Sequence, residues 1–178
     1  MTWPTHTLFG ISTLWLLTPV PLEIISYDFG TLAGFAALGA LLPDLDASQS
    51  KIKHLKLLGT QFKPFLLPAL IVNRTDQHRG LLHSLWGIVF TIIITGPLMA
   101  WIGWAPVLAL LMGFVSHLAA DAMTKTGIRL FYPQTRRFYL LPPKWRIATG
   151  AFAEEMLFLP LAFLATLLLV QNLSLSIL

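Results

Sequence analysis

The sequence predicts an all-α fold, a polytopic helical bundle with about five membrane segments. Three observations predict it. Of the 178 residues, 56% are apolar and 11% charged, with a mean hydropathy of +0.72, whereas roughly a quarter of an average soluble domain is charged. Long stretches carry almost no charge; between residues 85 and 124 only Asp121 is charged. All twelve Lys and Arg fall in two stretches, 51–79 and 125–146. Twelve cations and eight acids cannot clothe a water-soluble globule of this length, which excludes an ordinary soluble enzyme or nucleic-acid binder. With no cysteine, disulfides and thiolate ligands are excluded, and any metal would be held by imidazole and carboxylate. The length suits one domain, 1–178.

The segments follow in order. Residues 5–17 are apolar but short, and Pro19-Val20-Pro21 ends them. Without a basic residue in Met1-Thr2-Trp3-Pro4, this stretch does not read as a signal peptide, and it is expected to be retained. Residues 29–42 are short and rich in glycine (Gly30, Gly34, Gly39), a composition that lets helix backbones approach closely. Residues 84–102 and 105–123 form a third and a fourth segment, separated by turn signals at Gly96-Pro97 and Gly103-Trp104-Ala105-Pro106. Residues 151–173 form the fifth, with Glu154 and Glu155 near its start. The stretch 47–77 is too long for a plain connector. Its apolar runs, broken by Pro64 and Pro68 and flanked by lysines, read either as an interfacial helical segment or as a surface hairpin on the bundle. The positive-inside rule places both basic loops in the cytoplasm. The N-terminus is then cytoplasmic and the C-terminus outside.

In this topology the ionisable residues gather at one depth. His6 opens the first segment, Asp44 and Asp46 close the second, and His78, Arg79 and His83 lead into the third. His117 and Asp121 end the fourth, and Glu154 and Glu155 begin the fifth. Ionisable residues at such positions point to function. His117 and Asp121, at i and i+4, share a helix face, a spacing for joint ligation of a metal or for a simple hydrogen-bonded pair. Asp44 and Asp46 sit at a helix C-terminus, where the dipole disfavours negative charge, so a compensating cation is expected. His78 and His83 would diverge by roughly 140° on one continuous helix; a break at Gly80 would let both turn inward. His54 reads as a surface residue. Four of the five histidines in one layer with several carboxylates suit Zn²⁺, Mn²⁺ or Fe²⁺ better than Ca²⁺ or Mg²⁺. The ligand count suits two ions, or one ion with supporting groups.

The order His6, Pro43-Asp44-Leu45-Asp46, His78-Arg79-Gly80-Leu81-Leu82-His83-Ser84 and His117-x-x-x-Asp121 resembles the YdjM-like family of LexA-regulated, membrane-bound metal-dependent hydrolases. Asp121-x-x-Thr124-x-x-Gly127-Ile128, and Thr149-Gly150 followed by Glu154, look like the same family, and the likeness covers nearly the whole chain. It implies an integral membrane protein with a metal site and hydrolase activity. A more distant similarity is to zinc-dependent phospholipase C and P1-type nucleases, helical enzymes that cleave phosphoesters with clustered zinc ions. Those enzymes ligate metal with the amino group of an N-terminal Trp, whereas Trp3 here follows Met1 and Thr2.

Together these readings lead to an expected metal-dependent phosphoesterase at the inner face of a bacterial cytoplasmic membrane, with two Zn²⁺ ions, or Mn²⁺ or Fe²⁺ in their place. The expected metal ligands are His6, Asp44, His78, His83, His117 and Asp121. Asp46 and Glu154 would bridge or orient, Glu154 being preferred to Glu155 as the inward member. Arg79 would either stabilise charge on phosphoryl oxygens or anchor a headgroup. A site at this depth favours a phospholipid or another amphiphilic phosphoester, and Arg136, Arg137, Lys144 and Arg146 would attract anionic headgroups. Nucleic acid is a poor partner, since the basic loops offer few stacking platforms beyond Phe138, Tyr139 and Trp145. The alternative class is a non-enzymatic membrane protein, scaffold or transporter, with a structural metal site.

Overall fold

The structure is a computed structural model that describes residues 1–17, 27–46, 56–57, 60–61 and 81–175. Among them the chain forms six α-helices: α1 (Trp3–Ser12), α2 (Phe29–Leu41), α3 (Leu85–Thr95), α4 (Met99–Ile102), α5 (Trp104–Ala122) and α6 (Phe152–Leu175). Lys56–Leu57 and Thr60–Gln61 pair as a two-residue antiparallel ladder. This ladder is not helical, although it falls in the stretch read as an interfacial helical loop; the rest of 47–80 lies outside the described residues.

Each helix starts and stops for local reasons. Pro4 occupies the first turn of α1, where its missing N–H costs nothing, and the helix tightens into the 3₁₀ turn Thr13–Leu17. Asp28 caps α2, accepting from the Thr31 hydroxyl at 2.5 Å and the Thr31 backbone N–H at 3.0 Å. These bonds, the hydroxyl's first, hold the Asp28 carboxyl below its ordinary value. The cap therefore contributes above the ordinary aspartate pKa and is lost as pH falls through the lowered one. A 3₁₀ turn, Leu42–Asp46, follows α2 and contains Pro43. Ser84 caps α3 by accepting from the Trp86 N–H at 3.2 Å. The chain passes through Gly96-Pro97 as the 3₁₀ turn Gly96–Leu98, and α4 ends at Gly103, which leads into α5.

Helix α5 is the axis of the bundle. Its contacts with α2 are the most extensive, α1 packs on both, and α6 packs on α1. Leu14, Leu17, Leu32, Ala36, Ala105 and Ala109 form one apolar core; Phe114, Leu118, Ala122 and Ile128 form a second. The contact between α2 and α5 is made backbone to backbone. A Cβ at Gly113 would lie 2.0 Å from the Ala36 carbonyl oxygen, and one at Gly39 would lie 1.9 Å from that of Leu110. Of the three glycines expected to admit a neighbouring helix, only Gly39 does so. Gly34 faces open space, and Gly30 meets only the Asp28 side chain. Ser12 and Trp15 donate to the Leu161 and Leu164 carbonyls, tying the first helix to the last.

Two stretches among the described residues are long and apolar enough to cross a membrane, Leu85–Ile102 and Trp104–Ala122. The first exposes Trp86, Val89, Phe90, Ile92, Ile93 and Ile94, a continuous apolar band of the kind that marks contact with lipid or another apolar surface. Residues 123–151 fold back beneath the C-terminal end of α5. The N–H groups of Lys125, Leu140 and Ile147 donate to the carbonyls of Ile147, Ala122 and Met123 at 2.9, 2.9 and 3.0 Å.

Candidate metal centre

The close approach of α2 and α5 sets up the site. Gly113 faces Ala36, and one turn later the His117 ring meets Ala40. The two helices therefore run in the same direction and advance in step. A further step of four brings Asp44 and Asp121 to the same level as the free edge of His117, with Asp44 Oδ1 at 3.7 Å and Asp121 Oδ2 at 3.9 Å from His117 Nε2. His83, at the end of the 3₁₀ turn Leu81–His83, and His6, on α1, close the cluster from two other sides.

His117 Nδ1 lies 2.6 Å from the Ala40 carbonyl oxygen. A carbonyl only accepts, so Nδ1 carries the proton and donates. The Nε2 lone pair of the neutral ring is then aimed into the cluster, the arrangement in which a backbone carbonyl orients a ligating imidazole. His83 Nε2 stands 3.2 Å from His117 Nε2, so either the His83 N–H donates or both lone pairs face one cation. His83 Nε2 is also 3.7 Å from Asp44 Oδ1 and 3.7 Å from Asp121 Oδ2. His6 Nε2 lies 3.3 Å from Asp121 Oδ1, and the His6 ring stacks on His117 with centroids 3.7 Å apart. His6, His83, His117 and Asp121 are buried, while the Asp44 side chain is 26% exposed. Among these five residues, Asp44 marks the side open to solvent.

These separations can be compared with those of a coordination shell. A tetrahedral ion with bonds of about 2.0–2.1 Å has ligand–ligand edges of about 3.3–3.4 Å. Six of the nitrogen and oxygen pairs of the cluster are spaced 3.2–3.9 Å apart. Two groups have ligand atoms all within 4.8 Å of one another: His6, Asp44 and His117, and His83, His117 and Asp121. The His6 Nδ1 atom is buried without a hydrogen-bond partner among the described residues. Three imidazoles and two carboxylates are an appropriate donor set for a divalent transition metal. The two groups share His117, whose Nδ1 is committed to Ala40. They cannot both be filled through its single free nitrogen. A second ion would need a bridging carboxylate and a further ligand.

Five of the six expected ligands thus meet. The sixth, His78, lies outside the described residues, as do Arg79 and His54. Asp46 ends the turn after α2, and its side chain is also outside them. Glu154 is placed differently from the expected bridging or orienting role. One carboxylate oxygen accepts from the Thr2 backbone N–H and from the Thr2 hydroxyl at 2.9 Å, and the other accepts from the Gly150 N–H at 2.7 Å. It belongs to neither group and instead ties the start of α6 to the start of α1, while Glu155 is exposed. Glu154→Gln is accordingly expected to lower stability by about 1–3 kcal/mol and to leave metal content unchanged. Loss of metal at full stability would return Glu154 to the site.

Two participants have no signature in residue type. The Met1 amino nitrogen is buried 2.6 Å from Asp121 Oδ1, and the Ala40 carbonyl orients His117. Trp3, in contrast, is half exposed. Any backbone group could play these parts, so only the packing of the helices reveals them.

The profile of the YdjM inner membrane protein family matches residues 1–177. The chain belongs to this family. Among its curated relatives is the inner membrane protein YdjM of Escherichia coli, 34% identical over 149 residues that cover 79% of this chain and 69% of that one. YdjM of Shigella flexneri matches to the same extent. The uncharacterized protein YvsG of Bacillus subtilis is 33% identical over 156 residues, 88% of this chain and 86% of its own. No solved structure matches. The apolar helices and the YdjM relatives together make this a membrane protein. None of these matches bears on the likeness to zinc-dependent phospholipase C and P1-type nucleases.

Proposed function

We propose that this YdjM-family protein is a metal-dependent hydrolase of the bacterial cytoplasmic membrane, acting on a lipid or amphiphilic phosphoester. The observation that carries the reading is the His117 ring, pinned by Ala40 so that its free nitrogen belongs to two groups of possible ligands, one with His6 and Asp44 and one with His83 and Asp121, each with its ligand atoms within 4.8 Å of one another. His6, Asp44, His83, His117 and Asp121 would hold the ion, zinc in the first instance and manganese or iron as alternatives. A divalent ion held there would lower the pKa of water and would draw charge from a phosphoryl group. The chain's own contribution is to bury four of the five side chains and to leave Asp44 on the more exposed side. Arg79, beyond the described residues, is the candidate for binding the phosphoryl oxygens.

The five-span arrangement with a cytoplasmic N-terminus belongs to the same proposal. It requires the second and fourth segments to run the same way, and the in-step register of α2 and α5 supports this. A second reading, a structural metal site in a non-enzymatic scaffold, is favoured by the burial of His6, His83, His117 and Asp121, since structural sites are closed.

Metal analysis tests the site itself. The purified protein is expected to hold at least one transition ion per chain, and His117→Ala and Asp44→Ala should each lose it. If wild type holds two, His78→Ala should lose one of them. Metal content unchanged in both of the first two variants would sink the reading. A panel of phospholipids and model phosphodiesters, assayed with and without chelator, then separates enzyme from scaffold: chelator-sensitive turnover is the expected result, and its absence on every substrate selects the scaffold.

A further inference from the structure

Between Asp121 and Glu154 the chain carries six cations and no acid. The positive-inside rule explains the charge, but not its organisation. The segment is cross-braced: Ile128 and Phe138 exchange both backbone hydrogen bonds, at 3.2 and 2.7 Å. It encloses an open cavity of about 680 Å³, whose lining includes Phe131, Arg136, Arg137, Tyr139, Leu141 and Arg146. Among the described residues no carboxylate lines this cavity, and no member of the His/Asp cluster does.

Two of the three guanidinium groups are oriented by the backbone. Arg146 Nε donates to the Leu141 carbonyl at 3.1 Å, and its guanidinium carbon lies 3.4 Å from the centre of the Tyr139 ring. Arg137 Nη1 donates to the Thr126 carbonyl at 2.5 Å. Each guanidinium has five N–H donors, so most of them remain for an anion. Among the described residues no carboxylate pairs with Arg136, Arg137 or Arg146. Around the cavity stand exposed apolar side chains, Phe131, Phe138 and Leu140, with Trp145 beside Arg146. With α5, long and apolar enough to cross a membrane, taken as a span that ends at Ala122, this segment lies at a membrane face.

Fixed arginines, apolar rims and an interfacial position point to one ligand chemistry. Planar guanidinium groups bind phosphate oxygens through paired hydrogen bonds, and aromatic side chains settle at the headgroup level. We propose that this cavity binds the phosphate headgroup of an anionic phospholipid, a site separate from the metal centre. The proposal needs only a membrane surface and stands without the hydrolase reading.

Native mass spectrometry of the full chain in detergent tests it, with phosphatidylglycerol and phosphatidylcholine of identical acyl chains as probes. Wild type is expected to retain phosphatidylglycerol over phosphatidylcholine by about tenfold, and Arg136→Gln combined with Arg137→Gln should bring the two lipids to parity. Arg136→Gln alone, which removes no hydrogen bond seen within the chain, should reduce the preference and guards against misfolding of the pair. Arg129→Gln, outside the cavity lining, should leave the preference intact. Equal loss from Arg129→Gln would reduce the effect to net charge and overturn the site. Displacement of the lipid by millimolar inorganic phosphate would assign the cavity to a soluble phosphate and overturn the lipid assignment. Since the readout is lipid retention, failure here leaves the metal and turnover experiments untouched.

Discussion

Gly113→Ala is expected to destabilise the protein by about 3 kcal/mol or more, the upper range for forced overpacking, although Ala is the better helix former by about 1 kcal/mol. The new methyl would sit 2.0 Å from the Ala36 carbonyl oxygen and 2.9 Å from the Ala40 nitrogen. Both are backbone atoms, which cannot rotate away as a side chain can, so α2 and α5 must separate. Ala40 then withdraws from His117 and Asp44 moves with it, and metal content is expected to fall along with stability. Gly34→Ala is the control. It faces open space on α2, the other helix of that contact, and is expected to leave metal unchanged and stability equal or raised by about 0.5–1 kcal/mol. Denaturant titration in detergent, read beside metal content, checks both variants. A Gly113→Ala protein as stable as wild type would contradict the close approach on which the site is built.

Asp121→Asn is expected to have the other large effect. Asp121 stands among the Met1 amine at 2.6 Å, His6 at 3.3 Å and His83 at 3.7 Å, all of them buried. The substitution keeps the shape and removes the charge. It strands the Met1 ammonium without a counter-ion, and breaking a buried pair from one side costs about 3–5 kcal/mol. It also removes the carboxylate on which one of the two metal groups depends, so transition-metal content should drop too. Unfolding midpoints and metal analysis on the same preparation decide the matter. A variant with wild-type values of both would show that Asp121 serves neither purpose.

Much of this arrangement was legible in the residues. Uncharged runs mark helices because lipid and apolar cores reject charge, and the helix ends predicted at 29–42 and 105–123 lie within a residue of α2 (Phe29–Leu41) and α5 (Trp104–Ala122). Histidines and acids were expected in one layer because each lay at a helix end, on the side where the basic loops fall; His6, Asp44, His83, His117 and Asp121 do meet there. The spacing of His117 and Asp121 alone put both on one face of α5.

Three matters waited for the tertiary structure. A run of glycines in 29–42 promised close packing, but only Gly39 makes it, because which face meets α5 depends on how the helices cross. Glu154 shares the layer, yet two backbone amides and a hydroxyl claim its carboxylate, since α6 packs against α1 rather than inserting its first turn into the cluster. The Ala40 carbonyl and the Met1 amine carry no side-chain signal at all. The ends of uncharged runs report which residues sit at helix tips, and so marked the layer and its imidazole and carboxylate donors here. Contact between helices depends on the register of one backbone against another, and it alone decided which groups within that layer reach one another.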